Sequence, residues 1–468
     1  MGFKNKIIPL FLLMCLNLNC ICARADEVKT ATIQKIGLSF EQAYELMMAN
    51  NNSIKACLEE INAKKYEKKA AKGAYFPKIG VNSTYAHFDG NITVNSPPVS
   101  VGAMTIPVPE ILLQNQNLWA ASAGATWNIF TGGKITAMNS AARAQLEGSN
   151  NKYKVLTDEL TVELVKRYYG LKFAQDVATV RKQVLDTTKK HLEDAKKLEA
   201  EGVIPKSERL HADVAYRQAE RDYNSSLRDI DIVQEGLKTL IKADNVDLDN
   251  VEVSPSSSLF VYNKDFDKLN EFKEIALRNN PNLKQMDVKK KLAQANYKSQ
   301  VANYAPTVSL FAYDILGSSD LSYQIPRYAV GAMANWTLFD GFSRYNNMKA
   351  ADCVRKQVKY ETIDAKNNIN SLVTKNYEEL LKYKEQYEST NKSIESAQEA
   401  LRTSTLAFEE GLGTSLSVTD SQTALSDVKI QRLNAVYNYD IVLTSLLSTN
   451  GKAEDILEYI KNSSKEQL

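Results

Sequence analysis

The chain has 468 residues, 58 basic against 56 acidic, and a formal net charge of +2, so it lacks the strong basic excess of a nucleic-acid binder. Its histidines number three (His87, His191, His211) and are widely spaced, and it has no phosphate-binding glycine loop, Gly-x-Ser-x-Gly elbow or His-Glu-x-x-His. Enzyme chemistry therefore has no visible carrier, and no metal, cofactor or nucleic-acid partner is expected.

The first 25 residues read as a secretory signal. Lys4 and Lys6 form a basic start, Ile7 to Leu18 is apolar apart from Pro9 and Asn17, and Ala23-Arg24-Ala25 supplies the small residues of a cleavage site. The competing reading is a lipoprotein anchored through Cys20 or Cys22. Cys15, Cys20 and Cys22 leave with the signal, and Cys57 and Cys353 remain, expected as half-buried thiols on helices. Past the signal no run of about 18 apolar residues could form a membrane-spanning helix.

From Leu38 onward the sequence says the same thing twice. Asn50-Asn51-Asn52-Ser53-Ile54-Lys55 returns as Asn279-Asn280-Pro281-Asn282-Leu283-Lys284, and Phe76-Pro77 as Ala305-Pro306, both 229 positions on. Trp127-Asn128-Ile129-Phe130-Thr131-Gly132-Gly133 returns as Trp336-Thr337-Leu338-Phe339-Asp340-Gly341-Phe342, and Glu201-Gly202 as Glu410-Gly411, both 209 positions on. The first copy thus carries 20 extra residues, all between Pro77 and Trp127. A duplication fixes which segments do the same structural job. The expected organisation is repeat 1 over 38–245, an inter-repeat segment over 246–270, repeat 2 over 271–451 and a polar tail over 452–468, each repeat holding a helix, two strands and a long helical hairpin.

In repeat 1, Ile79 to Phe88 and Leu118 to Ile129 alternate in polarity. One face of the second reads Trp119, Ala121, Ala123, Ala125, Trp127, Ile129. Strands of about ten residues with aromatics near both ends fit an outer-membrane barrel with interfacial girdles. The connection from Asp89 to Asn117 is polar and Pro-rich, and it holds the insertion. The segment from Lys134 to about Lys197 then runs without proline, about 95 Å as a helix. Its seam at Tyr153, Leu156, Leu160, Leu164, Tyr168, Leu171, Ala174 and Val177 steps by three and four, as in a coiled coil. It breaks at Glu201-Gly202-Val203-Ile204-Pro205-Lys206-Ser207, and a returning helix from Glu208 to about Ile241 has a seam through Tyr223, Leu227, Ile230, Leu237 and Ile241.

Repeat 2 follows the same plan. Its strands are Thr307 to Leu316, in which Asp314 needs a lumen-facing or rim position, and Arg327 to Leu338, with Tyr328 and Trp336 near its ends. The long helix runs from about Tyr345 to Glu409, with a seam through Ile369, Leu372, Tyr377, Leu380, Tyr387, Ile394 and Leu401. It breaks at Glu410-Gly411-Leu412-Gly413-Thr414-Ser415 and returns from Leu416 to about Leu447. Four strands cannot close a barrel, and an open sheet edge cannot face lipid, so a membrane reading requires several copies that share one barrel, with their hairpins forming a tube beneath it. The alternative is a pore-less periplasmic coiled-coil adaptor or scaffold.

These features together, and most specifically Trp127–Gly133, Trp336–Phe342 and Phe408-Glu409-Glu410-Gly411-Leu412 leading to Val418-Thr419-Asp420, resemble the TolC-like outer-membrane efflux protein family. The resemblance implies a mainly α fold with membrane β: a homotrimer whose protomers each give four strands to a twelve-stranded barrel, continued by an α-helical tunnel through the periplasm. It implies an outer-membrane channel of a tripartite export system for small molecules or secreted proteins. The partners implied are a periplasmic adaptor, an inner-membrane transporter of RND, ABC or MFS type, and outer-membrane lipid. By the same resemblance, adaptor-docking tips fall at Gly202, Val203, Ile204, Pro205 and Glu208 and at Gly411, Leu412, Gly413, Thr414 and Ser415. Asp420 and Ser417 fall at the periplasmic entrance, Ser417 where some relatives have a second Asp, and Gly413 where they have an Arg that ties the tips shut. Trp119, Trp127, Tyr328 and Trp336 fall on the membrane girdle, and the inter-repeat segment and the tail form an equatorial collar.

Overall fold

The computed structural model describes residues 34–95, 97–242, 251–262, 268–319 and 326–465, and the signal with its three cysteines lies outside them. The fold is mainly helical. It opens with β1 (Gln34–Leu38), α1 (Phe40–Asn50) and α2 (Asn52–Gly73). Ser39 caps α1 in a capping box with Gln42, and Asn51 caps α2 through its side chain. β2 (Lys78–His87) leads into the insertion, and β7 (Asn117–Phe130) leads out of it.

The insertion corrects the expectation of a bare polar connection. It folds as two nested pairs: β3 (Ile92–Val94) with β6 (Ile111–Gln114), and β4 (Val99–Val101) with β5 (Met104–Ile106). Its short β-branched runs pair, and Gly102, at φ 65°, makes the tight turn between β4 and β5.

α3 (Lys134–Ala200) is one unbroken helix of 67 residues, about 100 Å long, and α4 (Lys206–Ile241) returns along it. After β8 (Val251–Pro255) and β9 (Phe260–Val261) the plan starts again with α5 (Leu269–Asn279) and α6 (Pro281–Ala302), the latter capped by Asn280. Then come β10 (Thr307–Ser319), β11 (Tyr328–Asn335), α7 (Ser343–Glu409) and α8 (Ser415–Thr449), followed by a one-turn helix at Ala453–Asp455, α9 (Ile456–Lys461) and β12 (Ser464–Lys465). α5 and α6 begin 229 positions after α1 and α2, and α7 begins 209 after α3, each with the length of its counterpart.

The main sheet is antiparallel throughout, in the order β11-β10-β7-β2. β2 with β7 and β10 with β11 are hairpins, and β7 with β10 joins them. β11 stops three residues short of the predicted Leu338. Its only neighbour is β10, and the ladder ends where β10 begins, at Thr307 opposite Asn335. β7, paired on both sides, continues to Phe130.

The principal core lies at mid-height of α3. Phe40, Tyr168, Tyr169 and Phe260 form a chain of aromatic contacts, with adjacent ring centroids 5.2–5.7 Å apart. The Tyr168 hydroxyl donates to the Leu38 carbonyl at 2.6 Å and accepts from the Ser257 amide at 3.0 Å, so one residue of α3 holds the N-terminal strand and the segment between the halves. The tail joins there through β12 on β9 and Tyr459 on Tyr262. Three sequence expectations fail at the surface. Leu227 and Leu372 are exposed, because two helices close one seam of a long hairpin and leave the other faces open. The cysteines are not alike: Cys57 is buried, Cys353 is exposed, and both are free thiols.

Candidate functional site

Two sets of residues carry chemistry a channel could use, at opposite ends of the long helices. At the far end, α3 terminates through Gly202 at φ 75°, and α7 through Gly411 at φ 71°, the left-handed conformation that glycine adopts without strain. Ile204 folds back so that its amide and that of Val203 donate to the Leu198 carbonyl, and it is buried with Leu192, Ala195, Ala212, Phe408 and Val418. Pro205 stands at the N-cap of α4. In the second turn the amides of Leu412 and Gly413 donate to the Ala407 carbonyl, and the Thr414 hydroxyl caps α8 by accepting from the Ser417 amide at 3.2 Å. Leu412 is 88 % exposed and Val203 is 49 % exposed, so each turn presents an aliphatic side chain to solvent.

The structure brings the two tips together through Ser415, which is fully buried. Its amide donates to Glu208 Oε2 at 2.7 Å, and its hydroxyl lies 2.8 Å from Nε2 of His191, whose ring packs on Phe408 at 4.5 Å. Glu208 is thus an inter-hairpin cap that satisfies the first amide of α8 and sits at the positive end of that helix. Burial holds His191 below the ordinary histidine range, against weaker upward pulls from Asp194 and then Glu208. Sequence reading missed His191 and Phe408. The signal was present for His191, because steps of four and three from Val177 continue the α3 seam to position 191.

Asp420 is exposed on α8. Ser417 faces α7, where its hydroxyl meets Ser404 at 3.3 Å, and Ser404 meets Ser421 at 2.9 Å. A Cβ at Gly413 would lie 2.9 Å from the Phe408 nitrogen and 3.1 Å from the Ala407 carbonyl carbon, so an arginine does not fit there unless the turn shifts.

At the near end, the sheet has one apolar face made by all four strands. Ile79, Val81 and Tyr85 of β2, Trp119 and Trp127 of β7, Leu310 of β10 and Tyr328 and Val330 of β11 share it by register, and all are exposed. Trp119 and Trp127 stand eight residues apart, about 27 Å along the strand. Trp119 marks the loop end and donates to Ser83 Oγ at 3.1 Å. Trp127 and Trp336 mark the helix end, donating to the Tyr75 and Tyr304 carbonyls at 2.8 and 3.0 Å. Asp314 falls on this face but at its loop-end rim, 3.6 Å from Arg327. Arg344 braces the turn into α7, donating to Asp340, the Asn303 carbonyl and the Leu338 carbonyl. Phe342 there adopts φ 63°, where its counterpart is Gly133. No helix among the described residues is long and apolar enough to cross a membrane, and none of their acidic, histidine and cysteine groups cluster as metal ligands.

Comparison with curated proteins gives no match. Solved structures do match over nearly the whole chain. The outer membrane protein VceC of Vibrio cholerae is similar at TM-score 0.70 and 13 % identity, covering 88 % of this chain and 96 % of that one. The CmeC outer membrane channel of Campylobacter jejuni is similar at 0.70 and 15 %, covering 91 % and 90 %. The open state of the MtrE outer membrane channel of Neisseria gonorrhoeae is similar at 0.70 and 14 %, covering 92 % and 94 %. At these identities the likeness is one of fold. The model of the outer membrane efflux protein family matches residues 43–241 and 274–452, most of the chain. The chain belongs to the outer membrane efflux protein family.

Proposed function

We propose that the protein is the outer-membrane channel of a tripartite export system. Three copies close a twelve-stranded barrel from their four-stranded sheets, and their helical hairpins continue it as a periplasmic tunnel. Small molecules or secreted proteins pass through it from an adaptor and an inner-membrane transporter to the exterior. The observation that carries this reading is the apolar face shared by β2, β7, β10 and β11, which is exposed in one copy and ends in two strands, β2 and β11, each with a single neighbour. A contiguous apolar face of this kind is stable only against lipid or a partner, and strand edges in lipid must be paired. Trp119 and Tyr328 then lie at one interface, Trp127 and Trp336 at the other, in the manner of barrel girdles.

At the far end, the exposed Val203 and Leu412 and the turns around them, Gly202 to Pro205 with Glu208 and Gly411 to Ser415, are the docking surface for the adaptor. Three Asp420 carboxylates converge on the tunnel mouth, where a ring of like charge draws cations. Ser417 adds no charge, because its hydroxyl is engaged with Ser404.

The test is conductance in a planar bilayer from detergent-extracted protein, with and without divalent cation on the tip side. Discrete steps reduced by the cation, with the reduction abolished in Asp420→Ala, support channel and ring together. Steps indifferent to the cation keep the channel and remove the ring. A chain that stays in solution without detergent ends the barrel reading in favour of a scaffold.

A further inference from the structure

The two halves match not only in element lengths but in their contacts. Under the offsets of 229 and 209, the β2–β7 pair Ile79 with Ala125 becomes Val308 with Ala334, which is the observed β10–β11 register. The Trp127 bond to the Tyr75 carbonyl becomes that of Trp336 to Tyr304. The ion pair of Lys152 on α3 with Glu60 on α2 becomes that of Glu361 on α7 with Lys289 on α6, with its polarity reversed. The offsets therefore transfer geometry even where the residues differ.

One seam in the chain still lacks its counterpart. Within the chain the first half meets the second along β7–β10, α3–α6 and α3–α8. The second half has the matching surfaces on β11 and α7, and the first half has them on β2, α2 and α4. We infer that the seam between copies repeats the seam inside each copy, and this rests on the shared-barrel reading above. The occupant of the free edge is a second copy of this chain, in a stated register.

Leu310 opposite Trp127 and Ala312 opposite Ala125 place Val81 of the next copy opposite Trp336 and its Ser83 opposite Ala334. The α3–α6 groove is lined by Asn151 and Asp287. Their counterparts are Tyr360 and Leu58, two apolar side chains that one copy leaves exposed. Lower down, Lys429 Nζ donates to Gln183 at 3.1 Å inside the chain. The counterparts are Glu220 of the next copy and Lys392, a pair of opposite charges. Gly170, against the Tyr437 hydroxyl, gives Glu379 facing Arg228 of the next copy. At the tips the rule gives a contrast. His191 and Ser415 map to Ala400 and Lys206, so the buried bond inside a copy has no equivalent between copies, and Lys206 meets the groove holding Glu395 and Glu399.

The test uses the full chain with Cys57→Ser and Cys353→Ser. Ala334→Cys with Ser83→Cys is expected to link copies on mild oxidation into a ladder ending at three. Ala334→Cys with Tyr85→Cys, two positions off on the same face, is expected not to link. A three-copy particle by mass in detergent that links only off register, or in neither pair, overturns the register and leaves the shared barrel standing. A chain that stays single in detergent overturns both. Independently, Lys392→Glu is expected to lower the trimeric fraction roughly two- to fivefold per seam at low salt, and adding Glu220→Lys to restore it. No loss, or loss without restoration, removes the helical part of the seam.

Discussion

The two halves solve the same structural problems with different residues, and the comparison separates what a position requires from what it happens to hold. At the turn into the long helix both halves need two left-handed residues: Gly132 and Gly133 in the first, Gly341 and Phe342 in the second. Gly132 is also held against its surroundings, since a Cβ would lie 2.6 Å from the Ala302 oxygen and from Ala305 Cβ, whereas at Gly341 the space is open. Phe342 shows that the conformation alone is tolerable when a brace such as Arg344 over-determines it. Gly132 is thus required twice over, for space and for conformation.

The largest expected effect follows from that pair. Gly132→Ala should cost about 3 kcal/mol or more, a strained φ plus a backbone collision, while Gly341→Ala should cost about 1–2 kcal/mol for φ alone. Thermal unfolding of the detergent-extracted protein measures both, and equal losses would break the distinction.

Next come two aspartates 209 positions apart. Asp231 is exposed beside Arg228, and Asp440 is fully buried. Burial pushes the Asp440 carboxyl well above the usual carboxylate range, against a smaller downward pull from the Phe260 backbone. The folded state therefore keeps a proton that the unfolded state gives up, and stability falls as pH rises from about 4 toward the folded pKa. Asp440→Asn should stabilise the protein at neutral pH by about 2 kcal/mol, a gain that fades at acid pH, and Asp231→Asn should change little. Melting curves across pH for the two variants decide it.

His191 has the opposite sign. Its folded pKa lies below 6.5, so the unfolded state binds the proton first, and stability contributed at the tips is present above about pH 6.5 and lost as pH falls through the folded value. Hydrogen exchange at the α8 start should quicken on acidification in the parent and lose that dependence in His191→Gln. An unchanged pH profile in the variant would place the sensitivity elsewhere. The smallest effect belongs to the reversed ion pairs. Glu60→Ala and Lys289→Ala should each cost less than about 1 kcal/mol and grow alike with salt, because both pairs are solvent-exposed. A larger loss in one would show that reversing the polarity changes more than the charge.

Local and periodic features were legible from residues alone. The offsets located every counterpart, the proline-free runs set the long helices to within a few residues of Lys134–Ala200 and Ser343–Glu409, and Gly202 and Gly411 marked their ends. These succeed because helix continuation and glycine stops depend on neighbours three or four positions away. What tertiary structure decided joins distant positions. Ser415 meets His191 and Glu208 across more than 200 residues, Gly413 is closed to a side chain by the backbone of its own turn, β11 stops where its single neighbour stops, and Leu227 and Leu372 stand on open faces of seams that their spacing only outlined. Spacing reports which residues share a stripe. Only the packed neighbours determine which part of that stripe is covered, and by what.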